Sequence, residues 1–448
     1  MPSSDLPEVF AAQVLLMMLL PIALFAPARW AVLAWLVMGN LDATGPGQSP
    51  TETLGWLNAV KSVAVPLCLV WRLRGTPSQL FKTLPARLWL ALTSYAIVAT
   101  IWSPFPLAAA KLVGNMIGIA LTLVVLEKAS RSGTLDAKNL ILLILASLAL
   151  GAIQTYYYGG AAYGFDGFDQ PSRFSSFVAA QQYAAFLVCF IAVLLWQPEL
   201  SVTLRSTLGL VVLAALALNG SRIWFLGAVA VVIVHSWFSS RRILGLAALG
   251  ASTVALGGML ILSVGRIDGV EITDSSNRIL ATATAVVTGV DTPNSVGLRD
   301  LSFRSRMYTG VFEDLRGSET WQILLGHGTS SGGSVALRIF PETYKPSQID
   351  ANRVIHNEWL RAFYEWGVVG LCLLAASLFS LPLGIMVQLK NAQWKRNAPV
   401  VLAFFPAFLA SLSTENVLAG AGNAVTMSLA LIIALLWTPA TGAKQTNA

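Results

Sequence analysis

Apolar residues run through this chain in long blocks, separated by short polar connections rather than alternating with them. The blocks cover residues 9–40, 55–73, 86–103, 106–127, 138–157, 175–196, 204–218, 222–238, 241–264, 365–388, 398–412 and 421–437. Each comes near the ~20 residues a helix needs to cross a bilayer, or falls somewhat short of it. The first block is too long for one straight helix. Pro21 and Pro27 interrupt it, so it reads as one kinked span or as a span plus a partial one. The pattern predicts an all-α polytopic membrane protein with about 12 transmembrane helices.

The polar connections orient these spans. "WRLRGTPSQLFKTLPAR", "EKASRSGTLDAK", "SSRR" and "LKNAQWKR" are rich in Lys and Arg, which places them in the cytoplasm. The parity is consistent from residue 73 onward and puts the C-terminal "GAKQTNA" inside as well. The segments near 42–54, 104–106, 158–174, 219–222, 413–420 and the long stretch 265–357 then face outside. The side of the N-terminus depends on whether residues 9–40 cross once or twice.

The stretch 265–357 is the one sizeable hydrophilic region, nearly balanced in charge and with arginine as its main cation. Within it, "TDSSNRILATATAVV" and "LSFRSRMYTGVFEDLRG" predict short helices, capped by Asp274 or Ser275 and by Ser302. "GHGTSSGGS" predicts a flexible loop. The chain therefore divides into residues 1–264, with about nine spans, an outside loop domain at 265–357, and residues 358–448, with three C-terminal spans and a cytoplasmic tail.

Composition agrees with the pattern. The chain is 55% hydrophobic and only 11% charged, against about 25% charged in soluble domains. The net charge of +7 is carried mostly by the short connections, so it reports membrane orientation rather than nucleic-acid binding. Cys68, Cys189 and Cys372 all lie in apolar runs, which indicates neither a disulfide framework nor a metal site. The start, "MPSSDLPEVF", lacks a positive n-region, so no cleavable signal peptide is expected. There is no GxxxxGK[ST] loop, no dinucleotide fingerprint and no DxD-type acidic pair outside, and the histidines are scattered. Neither a nucleotide nor a metal cofactor is expected.

The residues suited to chemistry gather at the outer level. Arg222 follows "LNGS" in a very short turn. Arg173 enters a span in "PSRFSSFVAAQQYAAF", and Lys111 lies about a turn inside the span after "WSPFP". With Arg304 and Arg306 they form a set of cations on one side. The planar donor fork of arginine suits phosphate oxygens; the plainer role is snorkelling to lipid headgroups. His235, beside Trp237, reads as interfacial. His327 sits in the glycine-rich "LLGHGTSSGG", where backbone can approach a ligand.

The third histidine opens "VIHNEWLRAFYEWGVVG". On a helical wheel, His356, Leu360, Phe363, Gly367 and Gly370 fall in a stripe about 80° wide. Glycines on that stripe let a neighbouring helix approach, which aims His356 at the bundle. Glu358, Arg361 and Glu365 fall on the other side at i, i+3 and i+4 spacing, as a mutually paired face. Glu415, in "STENVLAG", is another acid at this level, either pairing with an arginine or contacting substrate.

"HNEWLRAFYEWGVVG" resembles the H-N-x-x-L…E-x-G-x-x-G signature of the bacterial O-antigen ligase superfamily. That superfamily includes lipopolysaccharide O-antigen ligases, O-antigen polymerases and protein O-oligosaccharyltransferases. His356, Asn357, Leu360, Glu365, Gly367 and Gly370 match the signature. "LLGHG" is similar to the family's L-x-G-x-G step. Arg304 or Arg306 near Tyr308, the "SR" at Arg222, "WSPFP" before a span, and the layout of one large outside loop before the last three spans also fit. One pattern departs. Where the family often has R-x-x-G-x-F-x-N-P-N, "RFSSFVAAQQ" keeps Arg173 and Phe177 but has Gln181 at the asparagine position.

The resemblance implies a GT-C-like membrane glycosyltransferase at the periplasmic face of the Gram-negative inner membrane. The implied donor is a glycan on undecaprenyl diphosphate, and the implied acceptor is the lipid A–core oligosaccharide, with no cofactor. Asn357, His327, Tyr308, Gln181 and Glu415 become candidate substrate contacts. In such a reaction an acceptor hydroxyl attacks the anomeric carbon and the lipid diphosphate leaves. A neutral imidazole suits deprotonation of the hydroxyl, a role assigned to His356. Guanidinium groups stabilise the charge that grows on the leaving diphosphate, a role for Arg222 with Arg304 or Arg306, joined by Lys111 and Arg173. Single displacement inverts the anomeric centre. An O-antigen polymerase or a protein O-oligosaccharyltransferase would use the same donor. A lipid or glycan transporter would need charges along a path, usually with repeated halves; no repeat is visible.

Overall fold

The computed structural model describes residues 7–44, 54, 56–159, 174–196, 200–238, 296–341, 355–413, 417–418 and 424–438. Among the described residues the fold is helical and has no strand; one isolated parallel bridge joins Leu41 to Phe177. The apolar run 241–264, Asp274 and Ser275, and the boundary at 264/265 lie outside the described residues.

The first apolar block breaks at its second proline. Helix α1 (Pro7–Phe25) keeps Pro21 within it, and α2 (Ala28–Met38) starts just after Pro27. Proline costs little at a helix start, where its missing N–H has no partner to lose. With eleven residues, α2 is short of a full crossing. Helix α3 (Trp56–Ala59) passes through a π-helical turn, Val60–Ala64, into α4 (Val65–Arg72). That turn buries Lys61 and Ser62.

Helices α5 (Leu84–Val98), α6 (Pro106–Arg131), α7 (Ala137–Tyr158), α8 (Ala180–Trp196), α9 (Val202–Asn219) and α10 (Arg222–Phe238) follow. The side chains of Asp136 and Ser201 cap α7 and α9 by accepting the N–H groups of Asn139 and Leu204. Helix α8 is buried along nearly its whole length, and Ala184, Ala185 and Ala192 let its neighbours pack closely. The hydrophilic part supplies α11 (Val296–Gly317), α12 (Thr320–Leu325) and α13 (Gly332–Ile339). The chain closes with α14 (Glu358–Val387), α15 (Ala392–Leu412) and α16 (Ala424–Ala434).

Five stretches among the described residues are long and apolar enough to cross a membrane: Pro7–Phe25, Pro106–Arg131, Ala137–Tyr158, Val202–Asn219 and Glu358–Lys390. Shorter apolar helices accompany them. The protein is a helical membrane protein.

Its basic connections meet at one end of the bundle. There the Trp196 indole donates to the Arg396 carbonyl at 2.7 Å, Arg29 pairs with Asp136 at 3.1 Å, and the hydroxyls of Ser130 and Thr438 meet at 2.8 Å. At the opposite end, the Asn219 amide donates to the carbonyls of Phe174 and Ala180 at 2.8 and 2.9 Å, and the Asp42 N–H donates to Phe177 at 2.8 Å.

At that second end, α11 and α13 form a separate small core. Met307, Val311, Val335 and Ala336 pack there with Ile355, just before α14, and with Tyr364 in its second turn. The expected cap at Ser302 is not found, because α11 already begins at Val296. Leu298 and Leu301 extend the apolar spacing upstream, so Ser302 lies within the helix.

Candidate functional site

The site is built around the start of α14. Asn357 is the N-cap: its side-chain oxygen accepts the Leu360 N–H at 3.0 Å. His356 therefore stands outside the helix, on a turn closed by the Asn357 N–H donating to the Ile355 carbonyl at 2.8 Å. This corrects the helical-wheel placement of His356, which assumed that the helix already included it. The Tyr308 hydroxyl of α11 donates to the His356 carbonyl at 3.0 Å and joins α11 to this turn.

The wheel fails a second time at Gly367, whose φ of 63° and ψ of −164° interrupt α14. A side chain has no room there: a Cβ would lie 2.3 Å from the Leu324 carbonyl oxygen. The interruption turns the carbonyls of Tyr364 and Glu365 toward the upstream loop. They accept the N–H groups of His327 and Gly328, both at 3.0 Å. Gly326 approaches just as closely, since a Cβ on it would lie 2.2 Å from the Glu365 oxygen.

The segment expected to be a flexible loop is thus a buried plug. Thr329, Ser330 and Ser331 are buried. Thr329 Oγ1 donates to the Ala96 carbonyl at 2.7 Å and accepts from the Trp366 indole at 3.0 Å. Ser103, in "WSPFP", donates to the Thr329 carbonyl at 2.6 Å. Three sequence-distant motifs, "WSPFP", "GHGTSS" and "EWG", close on one threonine. Buried backbone must find partners, and these contacts supply them.

His327 is held inside this assembly. Its ring stacks on Tyr364 with centroids 4.4 Å apart. Nε2 lies 2.8 Å from Ser318 Oγ, and Nδ1 lies 3.1 Å from the Tyr364 carbonyl oxygen. The Tyr364 hydroxyl in turn donates to Asp314 at 3.0 Å, and Asp314 pairs with Arg338 at 2.5 Å. Both ring nitrogens of His327 thus have protein partners, which fits a positioning part rather than proton transfer to substrate.

The charged face of α14 is buried. Glu358, Arg361 and Glu365 are 1%, 0% and 0% exposed, while Leu360 and Phe363 of the supposed inward stripe are only half-buried. Arg361 Nη2 pairs with Glu358 Oε2 at 2.5 Å. The other Glu358 oxygen accepts the Leu418 N–H at 2.6 Å, tying α14 to the connection after α15. Glu365 faces the N–H groups of Ser330 and Gly332 without a well-aligned hydrogen bond. The pairing follows the i, i+3 spacing; the burial comes from the 326–331 loop and the 417–418 segment covering that face.

The predicted cations separate into groups. Arg222 opens α10, immediately after the turn at Asn219. Asn219 also holds the carbonyl of Ala180, next to Gln181, so the starts of α8 and α10 lie together. Lys111 is half-buried on α6, in the turn after "WSPFP". Arg304 is half-buried and one helical turn before Tyr308 on α11, on the face that approaches His356. Arg306 is exposed, donates to the Ile339 carbonyl at 3.2 Å and covers the Phe340 ring at 4.5 Å. It secures the end of α13. Arg173 and Glu415 lie outside the described residues. His235 packs edge-on against Trp196 at the basic end, 4.4 Å between centroids.

Sequence reading missed Ser103, Thr329 and Trp366, and also a network around Lys61. Lys61 Nζ donates to the Leu41 carbonyl at 2.6 Å; Asp42 accepts from Asn58 at 2.7 Å, and Asn40 accepts from Ser147 at 2.7 Å. Through the Leu41–Phe177 bridge this network fixes the segment leading into α8. The one sequence signal was a lysine inside an apolar run. No protein-family model matches the chain, and no curated protein matches it.

Proposed function

We propose that the protein is a lipid-linked oligosaccharide glycosyltransferase. It joins O-antigen polysaccharide from undecaprenyl diphosphate to the lipid A–core oligosaccharide, at the periplasmic face of a Gram-negative inner membrane. About 12 spans would carry the reaction, nine before the hydrophilic region and three after it, with that region on the periplasmic side.

The observation that carries this reading is the contact between Tyr308 and the His356 turn, with Arg304 one helical turn away. It brings an imidazole and a guanidinium to the bundle end opposite the basic connections. His356 takes the proton of the acceptor hydroxyl. The hydroxyl oxygen bonds to the anomeric carbon, the bond from that carbon to the phosphate oxygen breaks, and the lipid diphosphate leaves with the electron pair. Arg222 and Arg304, joined by Lys111 and Arg173, stabilise its charge as it forms. Single displacement inverts the anomeric centre.

An O-antigen polymerase or a protein O-oligosaccharyltransferase would share the donor and differ in the acceptor. A transporter is disfavoured because Lys111, Arg222 and Arg304 lie toward one end rather than along a path. The test is to incubate purified protein with lipid-linked glycan and either rough lipopolysaccharide, a second lipid-linked glycan or a pilin-like protein. Glycan on the lipopolysaccharide alone supports the ligase reading. Transfer to either other acceptor replaces it, and no transfer to any of them removes the enzyme reading.

A further inference from the structure

A cavity of about 700 Å³ lies between α5, α6 and the last three helices, within the roughly 300–1,000 Å³ of typical ligand sites. Its wall is apolar along the bundle, with Trp89, Leu123, Phe408 and Leu429 among its residues. At one end it reaches Leu418, whose N–H is held by Glu358. At the other it opens among Gln79, Lys82, Thr83 and Gln388, at the basic end of the bundle. Trp394 and Trp437 meet edge-on there, 6.0 Å between centroids, as aromatic residues do at a membrane interface.

Gly384 shows that the space belongs to the wall itself. It lines the cavity in the last turn of α14, and a Cβ built on it meets nothing within 4 Å. The acid nearest the mouth is already satisfied: Glu127 is buried and accepts from Ser78 Oγ at 2.5 Å and from the Gln79 N–H at 2.8 Å. Lys82 is exposed at the rim.

We infer that this cavity holds an acyl chain of an anionic phospholipid from the leaflet at the basic end, with its headgroup at Lys82 and Gln388. Three features select that occupant. An apolar slot among membrane-crossing helices excludes water-soluble ligands. Among the described residues Lys82 is the one charged side chain in the lining, and it stands at one mouth, as a headgroup above a chain requires; the hydroxyls of Ser377 and Ser380 in the wall donate to backbone carbonyls. The cation at that mouth complements an anionic headgroup and not a neutral one. The headgroup mouth lies at the end away from His356, so the inference stands apart from the proposed reaction.

Full-length protein purified in mild detergent tests it by native mass spectrometry and lipid extraction, followed by titration with phosphatidylglycerol and phosphatidylethanolamine. Wild-type protein is expected to retain phosphatidylglycerol in stoichiometric amount. Lys82→Gln is expected to weaken retention about fivefold, the effect of one basic residue at an anionic surface. Gly384→Phe fills the space and is expected to lower retention of either lipid about tenfold. If Gly384→Phe does not fold, Ala120→Phe, which fills the same cavity from α6, takes its place. Equal retention in wild type and both variants overturns the inference. So does an isoprenoid lipid, or phosphatidylethanolamine in preference to phosphatidylglycerol, as the retained species.

Discussion

The Tyr308 hydroxyl donates to the backbone carbonyl of His356 at 3.0 Å, linking the helix that bears Arg304 to the turn that bears the histidine. The hydrogen bond sets where the imidazole stands, without using the imidazole itself. Tyr308→Phe removes one neutral hydrogen bond, worth about 1 kcal/mol. The expected result is about a fivefold fall in kcat, since proton transfer depends on position, with little change in KM for the donor. Steady-state transfer assays on both proteins check it.

Glu358→Ala leaves the Arg361 guanidinium buried without its carboxylate. Breaking one side of a buried pair costs about 3–5 kcal/mol. The variant is expected to unfold at markedly lower temperature in detergent. The double variant Glu358→Leu with Arg361→Met is expected to recover part of the loss, because it removes the unpaired guanidinium while Glu365 loses the cation beside it. Thermal unfolding of the three proteins decides it, and a double variant no more stable than the single one counts against the buried-pair explanation.

Gly367→Ala places a methyl group 2.3 Å from the Leu324 carbonyl oxygen, in a backbone region that suits only glycine. The expected cost is at least about 2 kcal/mol. The plug at Thr329 should loosen with it. Faster amide hydrogen exchange at His327 and Gly328 reports that loosening, because their N–H groups are held by residues just before Gly367.

Arg304 and Arg306 differ in what they already do. Arg306 is engaged with Ile339 and Phe340, while Arg304 lies one turn from Tyr308. Arg304→Ala is expected to slow transfer about tenfold or more, the loss of a hydrogen bond to a charged group. Arg306→Ala should lower stability slightly and leave the transfer rate within about twofold. Parallel rate and melting measurements distinguish the two, and a larger rate loss at Arg306 reverses the assignment.

The helical fold was legible from the long apolar runs, and the ends of the bundle from where Lys and Arg fall. The break near Pro27 and the pairing of Glu358 with Arg361 could be read from local spacing. The burial of that pair could not, because it depends on a loop some thirty residues upstream and on a segment beyond α15. The helical wheel misplaced His356 because it carried helix geometry across the cap at Asn357, and it ran unbroken through Gly367, where the helix is interrupted. "GHGTSSGGS" reads as flexible from its glycines. Those same glycines are what let backbone pack against α14, and composition alone does not separate a mobile loop from a closely packed one.

The central claim is that the His356 imidazole accepts the proton of the acceptor hydroxyl. The direct measurement is the rate of glycan transfer by reconstituted His356→Ala, with lipid-linked donor and rough lipopolysaccharide, beside its melting temperature and its donor binding. The predicted result is a fall of about 10²- to 10⁴-fold in transfer, with folding and donor binding kept. Transfer at the wild-type rate would contradict it.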